Sequence, residues 1–180
     1  MNEIMKFLTE LDESVQKSRS DVISMIKADH RKVDLLFAEY ESNKKKSAKK
    51  ALLRKIVEEL NVHSAAEEKL VYPSIKEADQ EGTNEAYEEH HVVEVVLNEL
   101  MAVSEINELV DAKVKVLCEL VHHHVLEEEG KLLPEVKSSG LDLNKMGADF
   151  QSEKERLKAK ASRPGQANIN AKAFKARKAS

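Results

Sequence analysis

The sequence contains one arrangement of metal-ligating side chains twice. HSAAEEKLVYP begins at His63 and HVLEEEGKLLP begins at His124, and each has a Glu four residues after the His and a Pro ten residues after it. Because four residues make about one helical turn, His63 and Glu67 would share one helix face, and so would His124 and Glu128. Two such faces turned toward each other would bring two imidazoles and two carboxylates together. Helical bundles build two-metal sites in this way.

The repeat extends to the helix that precedes each copy. His30 has apolar residues at offsets +3, +6, +7 and +10, and His90 has apolar residues at the same offsets. His91 has Glu94 at +3, which favours His90 as the inward residue. His30 lies 33 residues before His63, and His90 lies 34 residues before His124. The chain therefore reads as two helical hairpins, each with one His on its first helix and one His/Glu pair on its second.

The alternative for a single His-x-x-x-Glu is a solvated pair on a helix surface. Here both histidines of the repeat continue apolar stripes, and both motifs keep their register with a Pro. A carboxylate inside a bundle costs free energy unless a cation neutralises it, and no Lys or Arg lies on these stripes near the histidines. We therefore predict that a pair of metal ions is bound by six residues: His30, His63, Glu67, His90, His124 and Glu128.

The predicted donor set narrows the choice of metal. Four imidazoles and two carboxylates are too many for a closed tetrahedral zinc site, and calcium and magnesium prefer oxygen ligands alone. Mixed nitrogen and oxygen donors suit two non-haem iron ions bridged by carboxylates and a solvent-derived oxygen, with manganese as the second choice. If each ion takes two His and shares both Glu, about one coordination position per ion stays open for a diatomic molecule or peroxide. The pattern thus indicates small-molecule redox chemistry.

The composition and periodicity indicate the elements that position these residues. With 41% hydrophobic and 34% charged residues, 4% aromatics, five Gly and three Pro, the sequence is typical of helices around an apolar core. The polar turns are short, so neighbouring helices should be antiparallel. We predict an all-α, up-down-up-down four-helix bundle over residues 20–140, with Ser20 and Thr83 as N-caps. A short amphipathic N-terminal helix is predicted over 1–19, one more helix over 141–162 and a disordered basic tail over 163–180.

Other features bear on location and partners. No apolar run reaches the roughly 20 residues that span a bilayer, and the acidic N-terminus does not resemble a signal peptide. The single Cys118 excludes an internal disulfide, so we expect a cytoplasmic protein without membrane contact. From Arg156 onward there are eight basic residues and no acid, which leaves 21 basic against 33 acidic residues in positions 1–155. We expect this tail, residues 156–180, to be a flexible solubilising end; the alternative is a contact with nucleic acid or an acidic partner. The sequence specifies no oligomeric state.

The four histidines and two glutamates, within HSAAEEKLVYP and HHHVLEEEGKLLP, resemble the hemerythrin-like HHE cation-binding domain over about residues 20–140. The resemblance implies a non-haem di-iron centre in a four-helix bundle. Members of that family bind oxygen, sense oxygen or iron, handle nitric oxide and its damage, or decompose peroxide. Oxygen-carrying members have a fifth His one turn after the His of the third bundle helix, where this sequence has Glu94. Glu94 is therefore a candidate additional ligand, and the difference argues against reversible oxygen carriage.

These features lead to two functional hypotheses. The first is a di-iron protein that reacts with peroxide, O2 or NO, above all a catalase-like oxidoreductase that decomposes peroxide or protects against oxidative and nitrosative stress. The alternative is a non-enzymatic protein that binds or senses O2 or iron. A haem bundle has no use for the repeated Glu. A metal-free interaction bundle would leave six polar residues on apolar faces.

The other polar side chains near the two motifs are expected to be solvated or to take part in packing: His91, His122, His123, Glu68, Glu127, Glu129, Tyr72 and Tyr87. Some of them have a second interpretation. His91, His122 and His123 could contact a metal ligand, or one of them could replace His90 or His124 as ligand. Glu68 could hydrogen-bond a metal ligand, and Tyr72 and Tyr87 could line the small-molecule pocket.

Overall fold

Helices account for nearly all of the described chain, which spans residues 21–161 in a computed structural model. No strand occurs in this range, and the predicted all-α class is confirmed. The five long helices are α1 (Val22–Ser42), α2 (Lys46–Leu70), α4 (Gln80–Met101), α5 (Glu108–Glu127) and α7 (Leu143–Ala161). Two short helices, α3 (Tyr72–Ile75) and α6 (Leu133–Ser138), and a π-helical turn (Glu128–Leu132) lie between them.

The long helices form two antiparallel hairpins. Helix α1 packs on α2, and α4 packs on α5, while α7 lies across α1 and α2. This is the predicted four-helix bundle with a C-terminal extension, and α7 occupies the range in which one more helix is predicted. The predictions for residues 1–19 and 163–180 lie outside the described residues. None of the described helices combines the length and the apolar character that a bilayer span requires.

Aspartate side chains cap helices α1 and α4, in place of the two residues that the sequence suggests. Asp21, next to the predicted Ser20, is the N-cap of α1 and accepts a hydrogen bond from a first-turn amide at 2.9 Å. Helix α4 begins one turn earlier than predicted, because the Asp79 carboxylate accepts a hydrogen bond from Gly82 N at 2.8 Å. A carboxylate at this position also interacts favourably with the helix dipole. The Thr83 prediction is therefore wrong, and Thr83 lies inside the helix with its hydroxyl donating to the Asp79 carbonyl.

Both helices that carry a repeated motif are interrupted soon after its Glu. Helix α2 ends three residues after Glu67, and Pro73 lies in the first turn of α3. Helix α5 changes to the π-helical turn at Glu128, and Pro134 lies in the first turn of α6. Pro suits a first turn because it has no N–H to leave unpaired there. The repeated His–Glu–Pro spacing thus places an interruption of the α-helix within about one turn of each buried carboxylate.

The core consists of two apolar clusters with a polar layer between them. In helices α1 and α4 a His lies between residues of the two clusters, as His30 does between Ile26 and Val33. The first cluster fills the end of the bundle that includes Phe37, Leu52, Ile56, Leu97, Leu100 and Leu117. The second fills the end closed by α3, α6 and α7 and includes Ile26, Val62, Tyr72, Ile75, Leu133 and Phe150.

Candidate metal centre

The six predicted ligands lie in this polar layer and form two adjoining groups. In each group the ligand atoms lie within 4.8 Å of one another, and every residue is buried. Glu67 belongs to both groups, so its carboxylate lies between them. The first group is His30, His63, Glu67 and Glu128, and the second is Glu67, His90 and His124.

The histidines face each other in pairs through the same ring atom. His30 Nε2 lies 3.2 Å from His63 Nε2, and His90 Nε2 lies 3.1 Å from His124 Nε2. The paired residues come from the two helices of one hairpin. Each pair therefore brings two nitrogen donors to one point in the core.

The opposite ring nitrogen of every histidine contacts a carboxylate oxygen. A carboxylate accepts the Nδ1–H proton, which leaves Nε2 with a lone pair that points into the site. Two facing lone pairs repel each other unless a cation lies between them. The Nδ1–oxygen distances are 2.9 Å for His30–Glu129, 3.3 Å for His63–Asp29, 3.3 Å for His90–Glu68 and 2.7 Å for His124–Glu89.

These outer carboxylates follow the internal repeat of the sequence. Asp29 and Glu89 directly precede the first His of each hairpin and contact the second His of the same hairpin. Glu68 and Glu129 directly follow the two motif glutamates and contact the first His of the other hairpin. The prediction that Glu129 is solvated is wrong, and for Glu68 the alternative of a hydrogen bond to a ligand histidine is correct. The repeat carried this signal, since an acid occupies the same offset in both halves.

The motif glutamates are the second sign that cations belong here. Glu67 is fully buried, and Glu128 is 1% exposed. Neither carboxylate oxygen of Glu67, nor Oε2 of Glu128, accepts a well-oriented hydrogen bond within residues 21–161, although His63 Nε2 lies 3.1 Å from Glu67 Oε2 and His30 Nε2 lies 3.2 Å from Glu128 Oε2. A buried carboxylate that accepts no hydrogen bond is costly, whereas two cations would satisfy these oxygens and the four Nε2 atoms together. The residues present therefore fit a pair of metal ions.

Without metal ions, bound protons compensate the negative charge of the buried carboxylates. Burial would lower the pKa of His63, but the Glu67 and Asp29 carboxylates outweigh it and raise that pKa to about 10. Burial and the nearby imidazole of His124 lower the pKa of His90. The pKa values of the two glutamates also shift in opposite directions. Burial and the Glu128 carboxylate raise the pKa of Glu67. Burial would raise the pKa of Glu128 as well, but His30 and His124 outweigh it and lower that pKa. Metal binding must displace protons from such a site.

Tyr72 takes part in the site rather than only in packing. It is fully buried, and its hydroxyl donates to Glu128 Oε1 at 3.1 Å while lying 3.3 Å from His90 Nε2. Burial and the carboxylates of Glu128 and Glu67 raise the pKa of Tyr72 far above its usual value, so the phenol keeps its proton. The first hairpin has this Tyr nine residues after His63, whereas the second has Leu133 at the same offset. Tyr72 therefore distinguishes the two halves of the site.

The remaining candidates lie outside the two groups. Glu94 belongs to neither group; it is half-buried, and burial raises its pKa. His122 and His123 are exposed, as predicted. A third cluster of ligand atoms, from Glu89, His123 and Glu127, lies toward the surface, where Glu127 also accepts a hydrogen bond from Lys131.

A small cavity adjoins the facing histidines. Its volume is about 20 Å³, roughly enough for one water molecule or one diatomic molecule. Apart from the four histidines, Asp29 and Ser64, the walls are aliphatic: Val33, Leu60, Val93, Val121 and Val125. A molecule that reaches the site must therefore be very small.

The fold and the site define a helical bundle with a buried candidate cation site of His and Glu side chains. The model of the protein family described as Hemerythrin HHE cation binding domain matches residues 21–136, which is more than half of the chain. The chain belongs to this family. A crystal structure of a hemerythrin HHE cation binding domain-containing protein from Mycobacterium kansasii is similar, with a TM-score of 0.69 and 21% identity over 83% of this chain and 96% of that one. At this identity the similarity shows the fold.

One relative is named for an activity on DNA. The chain is 26% identical over 144 residues to a protein from Nostoc sp. named DNA nickase. The match covers 78% of this chain but 41% of the Nostoc protein. The chain thus spans about two fifths of the length of that relative.

Proposed function

We propose that this protein holds two non-haem iron ions in the buried site and decomposes peroxide. One ion would be held by His30 and His63 and the other by His90 and His124, with Glu67 and Glu128 bridging them. The observation that supports this proposal most is the pairing of Nε2 atoms at 3.2 Å and 3.1 Å beside carboxylate oxygens that accept no well-oriented hydrogen bond within residues 21–161. Two cations among these six side chains would satisfy all of their inward atoms together.

Iron is proposed because of the donors. Four imidazole nitrogens and two shared carboxylates exceed a closed tetrahedral zinc site and differ from the all-oxygen sets of calcium and magnesium. Mixed nitrogen and oxygen donors suit iron, and manganese is the second choice. Two such ions supply the electron transfer that converts two molecules of hydrogen peroxide into two of water and one of O2.

The side chains around the ions would restrict and orient the substrate. The aliphatic walls of the 20 Å³ cavity admit peroxide, O2 or NO and exclude larger molecules. The carboxylates on Nδ1 fix the orientation of each imidazole, so that Nε2 keeps pointing inward. Tyr72 holds a proton at its hydroxyl, 3.1 Å from Glu128 Oε1 and 3.3 Å from His90 Nε2, and so keeps one proton next to two of the residues that would hold the ions.

The same cavity favours the alternative of a non-enzymatic protein that binds or senses O2 or iron. A space for one small molecule suits reversible binding of a diatomic as well as turnover. The two functions differ in one observable property, since only turnover evolves oxygen from added peroxide.

Oxygen evolution measured with an oxygen electrode tests the proposal. Wild-type protein loaded with iron should evolve O2 from hydrogen peroxide, and Glu67→Ala and His124→Ala should abolish it. His122→Ala is the matched control, because His122 lies two residues before His124 but is exposed and contacts Asp34 instead. A wild-type protein that contains two irons and evolves no oxygen would contradict the peroxide assignment and leave the binding alternative.

A further inference from the structure

Helix α7 reaches the candidate metal site through one buried charge. Lys154 is 8% exposed, although it is a lysine near the C-terminal end of the described chain. Its ammonium group donates to both oxygens of Asp29, at 2.6 Å and 2.5 Å. Asp29 in turn accepts from His63 Nδ1. A continuous line of contacts therefore runs from Lys154 through Asp29 to the imidazole of His63.

The same helix also packs on this histidine. Phe150 is fully buried, and its ring meets the ring of His63 edge-on at a centroid distance of 6.5 Å. Lys154 Nζ lies 5.5 Å from the centre of the Phe150 ring. One turn of α7 thus fixes His63 both by packing and by charge. This helix lies outside residues 21–136, which the family description matches.

The equivalent position in the other hairpin has no such charge. Glu89 relates to His124 as Asp29 relates to His63. Its second oxygen lies 3.5 Å from His123, whose side chain is 66% exposed, and it forms no ion pair with a Lys or Arg in residues 21–161. Of the basic residues in that range, the two buried ones are Lys154 and Lys32, and Lys32 pairs with Glu59. The ammonium on Asp29 is therefore a difference between the two halves of the site.

The two halves should consequently donate electrons to their ions unequally. A carboxylate on Nδ1 makes an imidazole a stronger donor. A buried ammonium that neutralises this carboxylate weakens that effect, because charges interact strongly in a poorly solvated interior. Glu129, the partner of His30, is also paired with a cation, since Arg31 donates to both its oxygens at 2.7 Å and 2.9 Å. Both outer carboxylates of the His30/His63 pair are thus charge-compensated.

We propose that Lys154 is a positioning residue for the ion held by His30 and His63. It acts through Asp29 on His63 and makes this ion electronically different from the ion held by His90 and His124. The inference rests on the proposed pair of metal ions, and it adds a role for helix α7 in controlling them.

Removing the charge from Lys154 tests this role. Lys154→Met should strengthen the binding of one of two Fe2+ ions by about 10- to 100-fold in an anaerobic chelator competition and leave the other ion unchanged, because the Asp29 carboxylate is then no longer neutralised and makes His63 a stronger donor. Lys158→Met is the matched control, because Lys158 lies one turn later on α7 and pairs with buried Glu59 at 3.1 Å and 3.2 Å. Lys154→Gln, which can still donate a hydrogen bond to Asp29, provides a variant that changes the charge with less effect on folding.

Mössbauer spectra of protein loaded with ⁵⁷Fe provide a readout that a purely structural role would not move. The wild type should show two inequivalent irons, and both Lys154 variants should shift one of them. The double variant Asp29→Asn/Lys154→Met should restore the wild-type affinity, because the pair of charges is removed together. Equal shifts of both irons, or Lys154 variants that behave like Lys158→Met, would overturn the inference while leaving the two-iron site intact. A wild type that binds no iron would overturn the proposed function and this inference together.

Discussion

His30 Nε2 and His63 Nε2 lie 3.2 Å apart, although the residues are 33 positions apart on two antiparallel helices. A carboxylate on the far nitrogen of each ring, Glu129 and Asp29, turns both lone pairs toward this point. Such a contact is stable only with a proton or a metal ion between the rings. The metal-free and the metal-loaded protein should therefore differ in their dependence on pH.

The first prediction concerns His63 in the metal-free protein. Its pKa is raised from 6.5 to about 10 in the folded state, so its contribution to the free energy of unfolding is fully present below pH 6.5 and is lost as the pH rises through about 10. The stability difference between wild type and His63→Gln should therefore narrow over this interval in urea denaturation. His122→Gln should show no such trend. A difference that stays constant or grows up to pH 10 would contradict the assignment of the proton to this site.

The second prediction separates two neighbouring glutamates that the sequence alone treats alike. Glu129→Ala should lower metal affinity by about 10- to 100-fold, because the Nδ1 proton of His30 loses its acceptor and the ring its orientation. Glu127→Ala is the control, since Glu127 pairs with Lys131 on the surface. Anaerobic isothermal titration with Fe2+ alone measures the metal affinity of both variants. Equal affinities for the two variants would show that the outer carboxylate does not support the site.

The third prediction concerns the buried phenol. Tyr72→Phe should lower the free energy of unfolding of the metal-free protein by about 1–3 kcal/mol, because Glu128 Oε1 loses its hydrogen-bond donor in the core. Tyr87→Phe should cost less, since Tyr87 donates to a backbone carbonyl and is half-buried. Urea denaturation at neutral pH measures the two variants. A Tyr72 variant as stable as the Tyr87 variant would argue against a hydrogen bond to the Glu128 carboxylate.

The inward face of the site could be predicted from sequence because the helical period relates His and Glu on one helix. His63 and Glu67 are one turn apart, and the apolar residues at matching offsets chose His90 over His91. These positions depend on local spacing, and the structure places His63, Glu67 and His90 in the two groups and leaves His91 outside them. The number and order of the bundle helices follow from the same periodicity.

The surroundings of the site could not be predicted in the same way, because they depend on contacts between helices. Glu129 looks like a solvated residue in its own helix, and its partner His30 lies 99 positions away. Lys154 is unremarkable in sequence, yet helix α7 brings it to Asp29, 125 positions away. The start of a helix also depends on which of several possible capping side chains binds the first amides. Asp79 caps α4, whereas Thr83 is the predicted cap.

The fourth prediction concerns a buried ion cluster away from the site. Glu59 is 4% exposed and faces Lys32, Lys55 and Lys158 at 2.8 to 3.2 Å. Burial would raise the pKa of Glu59, but these lysines lower it from 4.5 to about 2, so its contribution to stability is present above pH 4.5 and is lost as the pH falls through about 2. Glu59→Gln should lower the free energy of unfolding by on the order of 3 kcal/mol at neutral pH.

The control for this prediction is Glu58→Gln, because Glu58 is half-buried and its ion pair within residues 21–161 is a 3.7 Å contact with the Lys55 ammonium. It should change stability by about 0.5 kcal/mol or less. The difference between wild type and Glu59→Gln should vanish near pH 2 in acid-dependent urea titrations. A difference that persists there would show that the Glu59 carboxylate does not act through its charge.

The central claim is that the paired histidines and the two glutamates hold two metal ions. Metal analysis of protein purified from iron-supplied cells, combined with an optical spectrum, tests it most directly. We predict two iron ions per chain and no haem absorption in the wild type, with iron lost in Glu67→Ala and in His124→Ala but retained in His122→Ala. A folded wild-type protein without stoichiometric metal, or one that contains haem, would contradict the account.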